Sequence, residues 1–141
     1  MPELTRLLIA RMREFFGNRR RARRHALRLP FKVSLFDAKL TPAQLDRAPH
    51  LDGHTRDIST GGLALIVPAI RIEDRYLAAP DQALRLLLEY PTGLIEMRVA
   101  AVRYERLEEA DADTGYLIGV RITEMADDDR ARFVSYLKDL N

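Results

Sequence analysis

The chain has 141 residues, 47% hydrophobic and 31% charged, a composition that suits one globular domain with a single core. It contains no cysteine, so disulfides, thiol catalysis and thiolate metal sites are excluded, and a reducing cytoplasm suits it. The net charge of +2 hides an asymmetry: residues 1–28 hold nine arginines against Glu3 and Glu14, for +7, and the remaining 14 basic and 19 acidic residues give −5. A basic arm on a mildly acidic body predicts an anionic partner for the arm. No apolar run approaches the ~20 residues of a transmembrane helix, and Arg6, Arg11 and Arg13 interrupt the start where a signal peptide needs an apolar core.

Residues 3–16 read as an amphipathic helix, with Leu4, Leu7, Leu8, Met12, Phe15 and Phe16 at three- and four-residue spacing and Gly17-Asn18 as its stop. A helix of about 20 Å is marginal alone in water, so it must dock on its own domain, a partner groove or an anionic membrane surface. Arg19 to Arg28 follow, a density of like charge expected to stay mobile until an anion or partner holds it. Leu29, Phe31, Val33 and Leu35 then alternate with polar residues, the pattern of a half-buried strand. Residues 36–56 read as irregular, with Thr41-Pro42 capping a short helix near 42–47.

Next comes Asp57-Ile58-Ser59-Thr60-Gly61-Gly62, running into the apolar strand Leu63–Val67. Ser-Thr-Gly-Gly predicts a tight turn between strands, and two adjacent glycines allow positive φ and close approach of a ligand. Asp57 and Ser59 lie two apart and share a face if strand geometry persists that far. The pair suits a base edge and a neighbouring phosphate; equally, both side chains suit a β-turn in which they bond their own backbone.

Residues 69–83 read as loop. Ala83–Tyr90 and Leu94–Arg106 are two strands joined by Pro91-Thr92-Gly93, with Glu96, Arg98 and Arg103 facing solvent between Ile95, Met97, Val99 and Val102. Tyr116–Ile122 is a further strand beyond an acidic loop at 108–115, and short strands with turn signals point to an antiparallel barrel or sandwich. A terminal helix starts at Asp127, Asp128 and Asp129, where the helix dipole favours acids, and carries a stripe of Arg130, Phe133, Val134, Leu137 and Leu140. The three histidines lack metal-ligand spacing, Asp111-x-Asp113-x-Gly115 lacks the later residues of a calcium loop, there is no P-loop, and no base accompanies Ser59. The sequence predicts neither an enzyme nor a cofactor.

Arg24-His25-Ala26-Leu27-Arg28 is an Arg-x-x-x-Arg just before the first strand, and Asp57-x-Ser59-x-x-Gly62 begins 29 residues after Arg28. In this order, and with Leu117–Ile122 leading into a terminal helix, the chain from about 23 to 140 resembles the PilZ domain, the bacterial receptor module for cyclic di-GMP. The resemblance implies a mainly β fold: a six-stranded antiparallel PilZ-type β-barrel with a C-terminal helix over residues 29–141, preceded by the arm at 19–28 and the additional helix at 1–18. It implies that Arg24 and Arg28 grip guanine faces and phosphates, that Asp57 and Ser59 take guanine-edge and phosphate contacts, and that Gly61 and Gly62 shape the turn. Arg23 makes the arm Arg-Arg-x-x-x-Arg, a form that in the family accompanies a stacked ligand dimer.

The expected function is a cyclic di-GMP receptor and adaptor that orders its arm on binding and engages a protein partner of a motility, adhesion or exopolysaccharide system. Two other readings fit the same residues. One is a PilZ-like scaffold that works by protein contacts without the nucleotide. The other is a membrane-surface binder through residues 1–21, peripheral at the inner membrane, which can coexist with the first reading. The acidic body argues against nucleic acid.

Overall fold

Period-two alternation builds most of the computed structural model, which describes residues 23–107 and 115–140. The expected helix at 3–16, Arg19 to Arg21 and most of the acidic loop lie outside the described residues. The elements are β1 (Pro30–Leu35), α1 (Pro42–Arg47), β2 (His50–Ile58), β3 (Gly62–Val67), β4 (Arg71–Ile72), β5 (Arg75–Tyr76), β6 (Ala83–Tyr90), β7 (Gly93–Arg106), β8 (Tyr116–Glu124) and α2 (Asp127–Asp139). Six strands close an antiparallel barrel in the order β1-β2-β3-β8-β7-β6, and β4 pairs with β5 in a small separate hairpin. Closure leaves the main sheet no open edge.

Every second residue points inward. Phe31 and Val33, Leu63, Leu65 and Val67, Leu84, Leu86 and Leu88, Ile95, Met97 and Val99, and Ile118 and Val120 fill the barrel. Phe133 and Leu137 of α2 join the same core, at 1% and 3% exposure, and Tyr136 packs against Tyr90 with ring centroids 5.5 Å apart. The apolar stripe of α2 therefore differs from the expected one at three positions, of which Val134 is half-buried and outside the core cluster. Arg130 and Leu140 are exposed, and Tyr136 supplies contact instead, because Tyr90 at the end of β6 meets it.

Two stretches read as irregular turn out to be ordered parts of the core. β2 begins at His50, well inside the expected 36–56 loop. Its inward positions are Leu51, opposite Val33, Gly53, opposite Phe31, and Thr55, so the strand carries almost no apolar signal. Within residues 69–83, Ile72, Leu77 and Ala78 are buried in the barrel core. The short helix α1 forms as predicted: the Thr41 hydroxyl accepts from Gln44 N, and Thr41 N donates to the Gln44 side chain at 2.8 Å. Asp46 of α1 and Glu96 of β7 both meet Arg85 of β6. Burial opposes the Arg85 charge, but the Glu96 and Asp46 carboxylates outweigh it and raise its pKa, tying α1 to the barrel wall. Among the described residues no helix is long and apolar enough to cross a membrane.

Candidate functional site

The arm is laid along the end of β2. His25 N donates to Ile58 O at 2.8 Å and Ile58 N returns a bond to His25 O at 2.9 Å, an isolated antiparallel bridge. Thr55 makes the next fastening. Its buried hydroxyl donates to Leu27 O at 2.6 Å and accepts from Leu29 N at 2.9 Å, and its own N–H donates to Leu29 O at 2.9 Å. The arm was expected to be mobile throughout; its described end is instead hydrogen-bonded, because Thr55 and Ile58 offer it a short strand partner. Arg23, Arg24 and Arg28 stay exposed on that fixed backbone.

A β-bulge aims the acid of the second motif. The β2–β3 register shifts between Thr55 and Asp57, so Thr55 points inward while Asp57, opposite Ala64, points outward. Without the extra residue, alternation would turn Asp57 into the core. On the outer face it meets the arm: Arg24 Nη2 donates to Asp57 Oδ2 at 3.4 Å, with the side chains 46% and 15% exposed. Thirty-three residues of sequence separate the two, so the arm's fastening is what joins the motifs. The bond is longer than a good charge-assisted one and the Arg24 side chain stays 46% exposed, which suits a contact that an anion can replace.

Ser59 lies elsewhere than expected. Strand geometry ends at Ile58, and Ser59 turns inward with no exposed surface. Its hydroxyl donates to Gly62 O and accepts from Gly62 N, both at 3.2 Å, and Ser59 N donates to Gly62 O at 2.9 Å. Ser59 closes the turn that follows Asp57 and does not stand beside it on an open face. The glycines also differ from expectation: the positive-φ glycines among the described residues are Gly93 and Gly115, not Gly61 or Gly62. At Gly61 a Cβ would meet nothing within 4 Å, so the backbone there borders open space. Gly62 begins β3 and is buried. Alanine at Gly61 should therefore leave thermal stability unchanged to within about 0.5 kcal/mol. It should still weaken any ligand that approaches this backbone closely, as a titration beside the wild type will read.

Sequence reasoning missed Thr55, whose only signal was its place two residues before Asp57. It also missed how the bulges aim side chains, which no spacing rule reveals.

The family model described as "PilZ domain" matches residues 18–139. No curated protein matches the sequence. Among solved structures, the chain is similar to MrkH of K. pneumonia in complex with c-di-GMP, at 21% identity and TM-score 0.62, covering 86% of this chain and 51% of that one. It is similar to the inhibitor of motility MotI/DgrA of Bacillus subtilis, at 18% identity and TM-score 0.56, covering 84% of this chain and 48% of that one. It is also similar to the PilZ domain of YcgR from Escherichia coli with c-di-GMP, at 10% identity and TM-score 0.55, covering 81% and 85%. The chain thus spans about half the length of MrkH and MotI/DgrA, and at these identities the likeness speaks for the fold.

Proposed function

Because this chain belongs to the PilZ domain family, a family of non-catalytic cyclic di-GMP receptors, we propose that it binds cyclic di-GMP between its arm and the outer face of the barrel. The observation that carries this reading is the Arg24–Asp57 contact, which joins the two motifs on the outer face of the barrel. Cyclic di-GMP offers two phosphates and two purine faces. Arg23, Arg24 and Arg28 supply planar forks for the phosphates and flat cations for the bases. Asp57, ionised and acceptor-only, suits the N1 and N2 donors of guanine. Gly61 leaves room for the ligand, and Ser59 with Gly62 holds the turn in shape; the phosphate contact proposed for Ser59 requires that turn to open.

In this reading the nucleotide takes Arg24 from Asp57 and redirects the arm. The change passes to the chain before Arg23, whose amphipathic sequence suits a protein partner or a membrane surface. A motility, adhesion or polysaccharide system is the proposed destination, in line with the motility inhibitor among the similar structures.

Calorimetric titration of cyclic di-GMP into the protein, beside Arg28→Ala and Asp57→Ala, tests the reading. Saturable binding is expected, weakened about 10- to 100-fold in each variant by loss of a charge-assisted pair. The stoichiometry separates one bound nucleotide from a stacked two. No binding by the wild type at high protein concentration would end the receptor reading in favour of a ligand-free scaffold.

A further inference from the structure

We propose that Arg103 is a stacking platform for a guanine base of the bound nucleotide, lying opposite Asp57 across a floor of small residues; this rests on the receptor reading above. Four strands put the residues in one row. Asp57 on β2 faces Ala64 on β3, Ala64 faces Gly119 on β8, and Gly119 faces Arg103 on β7. Ala64 lies outside the barrel core, in a separate cluster with Ile66 and Leu117, so the row runs across the outer face.

Arg103 reaches that face by the same device as Asp57. The β7–β8 register shifts between Ala101 and Arg103, with Val102 as the extra, fully buried residue. Ala101 points into the core, and plain alternation would send Arg103 the same way. The bulge turns it outward. Two bulges on non-adjacent strands thus aim an acid and a base onto one row.

The middle of the row is built to let the arginine lie flat. A Cβ at Gly119 would stand 3.0 Å from Arg103 Cγ and 3.2 Å from its Nε, so the side chain passes directly over this glycine toward β3. Neighbouring strands are about 4.8 Å apart, which separates the Asp57 and Arg103 backbones by about 14 Å. A guanine that gives its N1 and N2 edge to Asp57 extends its rings along this row toward the Arg103 side chain over Gly119. Ala64 beneath is 1% exposed, whereas Arg103 is half-buried, so the base meets the guanidinium and not the sheet. A guanidinium is planar and weakly hydrated, and it stacks on a purine with cation–π attraction; an ammonium offers charge without the plane.

The test titrates cyclic di-GMP into wild type, Arg103→Ala, Arg103→Lys, Gly119→Ala and Arg106→Ala, with thermal unfolding of each. Arg106 is exposed at the far end of β7 and serves as the charge control. Arg103→Ala should weaken binding about tenfold, and Arg103→Lys nearly as much. Gly119→Ala should also weaken it, by lifting the arginine while removing no charge. Arg106→Ala should bind within twofold of wild type, roughly the scatter of a distant surface change. Full affinity in Arg103→Ala alongside lost binding in Asp57→Ala would overturn the platform and leave the receptor standing. Full rescue by Arg103→Lys would overturn it as well, by making the role one of charge. So would loss confined to Arg103→Ala, with a lowered unfolding temperature and normal binding by Gly119→Ala. A wild type that binds nothing removes the receptor reading and this inference together.

Discussion

Valine in place of Thr55 is expected to cost about 2–4 kcal/mol of stability, and to weaken cyclic di-GMP binding in the same protein. The two side chains are nearly the same size, so the loss is polar and leaves no cavity. Thr55 is 1% exposed, and its one hydroxyl satisfies both Leu27 O and Leu29 N. Valine strands both backbone groups, each worth about 1–3 kcal/mol when left unpaired. The backbone bond from Thr55 N to Leu29 O survives, so the barrel should still close. What loosens is the stretch around Leu27 and Arg28, while the His25–Ile58 bridge still holds the arm further back, and the position of Arg28 shifts with it. The ligand must then order the arm itself, which lowers affinity by the fraction of time the arm is docked. Urea unfolding reads the first effect and calorimetric titration the second. Lost stability with unchanged affinity would show that the nucleotide does not use the docked arm.

Alanine in place of Gly53 should do greater harm to the fold, about 3 kcal/mol or more, lowering the unfolding temperature by roughly 10 °C. A Cβ there would lie 2.2 Å from the carbonyl oxygen of Ile66 and 2.7 Å from Phe31 Cζ. The first neighbour is backbone of β3 and cannot swing away. The second is a ring 3% exposed in the core, lying over the glycine directly opposite it. The aromatic covers the space that a side chain at 53 would occupy, so the strand keeps its burial at this position without an apolar side chain. Thermal unfolding by circular dichroism checks this. A stable Gly53→Ala would mean that β2 can move away from β3, and the bulge that aims Asp57 would then be free to move too.

These positions mark where the sequence stops being legible. Strands β1, β6, β7 and β8 announce themselves because a core of leucine, isoleucine and valine recurs at every second residue, and a pleated backbone can bury that pattern in one way only. The start of α2 is equally local, since Asp127 to Asp129 complement the helix dipole wherever the helix is placed. β2 is nearly silent because, between Leu51 and Ile58, its inward residues are a glycine covered by Phe31 and a threonine spent on the arm. Both choices make sense only once other strands are in place.

The site divides along the same line. The residue types were readable from two short motifs: arginines proposed for phosphates and purines, an acid proposed for a guanine edge. Which of them share a surface was not. The sequence by itself determined most strands, the terminal helix and the charge of the arm, because period and charge act within a few residues; the choice of a barrel over a sandwich came from the order of the two motifs through the family resemblance. Tertiary structure alone decided that Ser59 is buried in its turn and that bulges, not plain alternation, carry Asp57 and Arg103 to the outer face. Those directions depend on bulges and register, which long-range hydrogen bonding across several strands sets and no local propensity encodes.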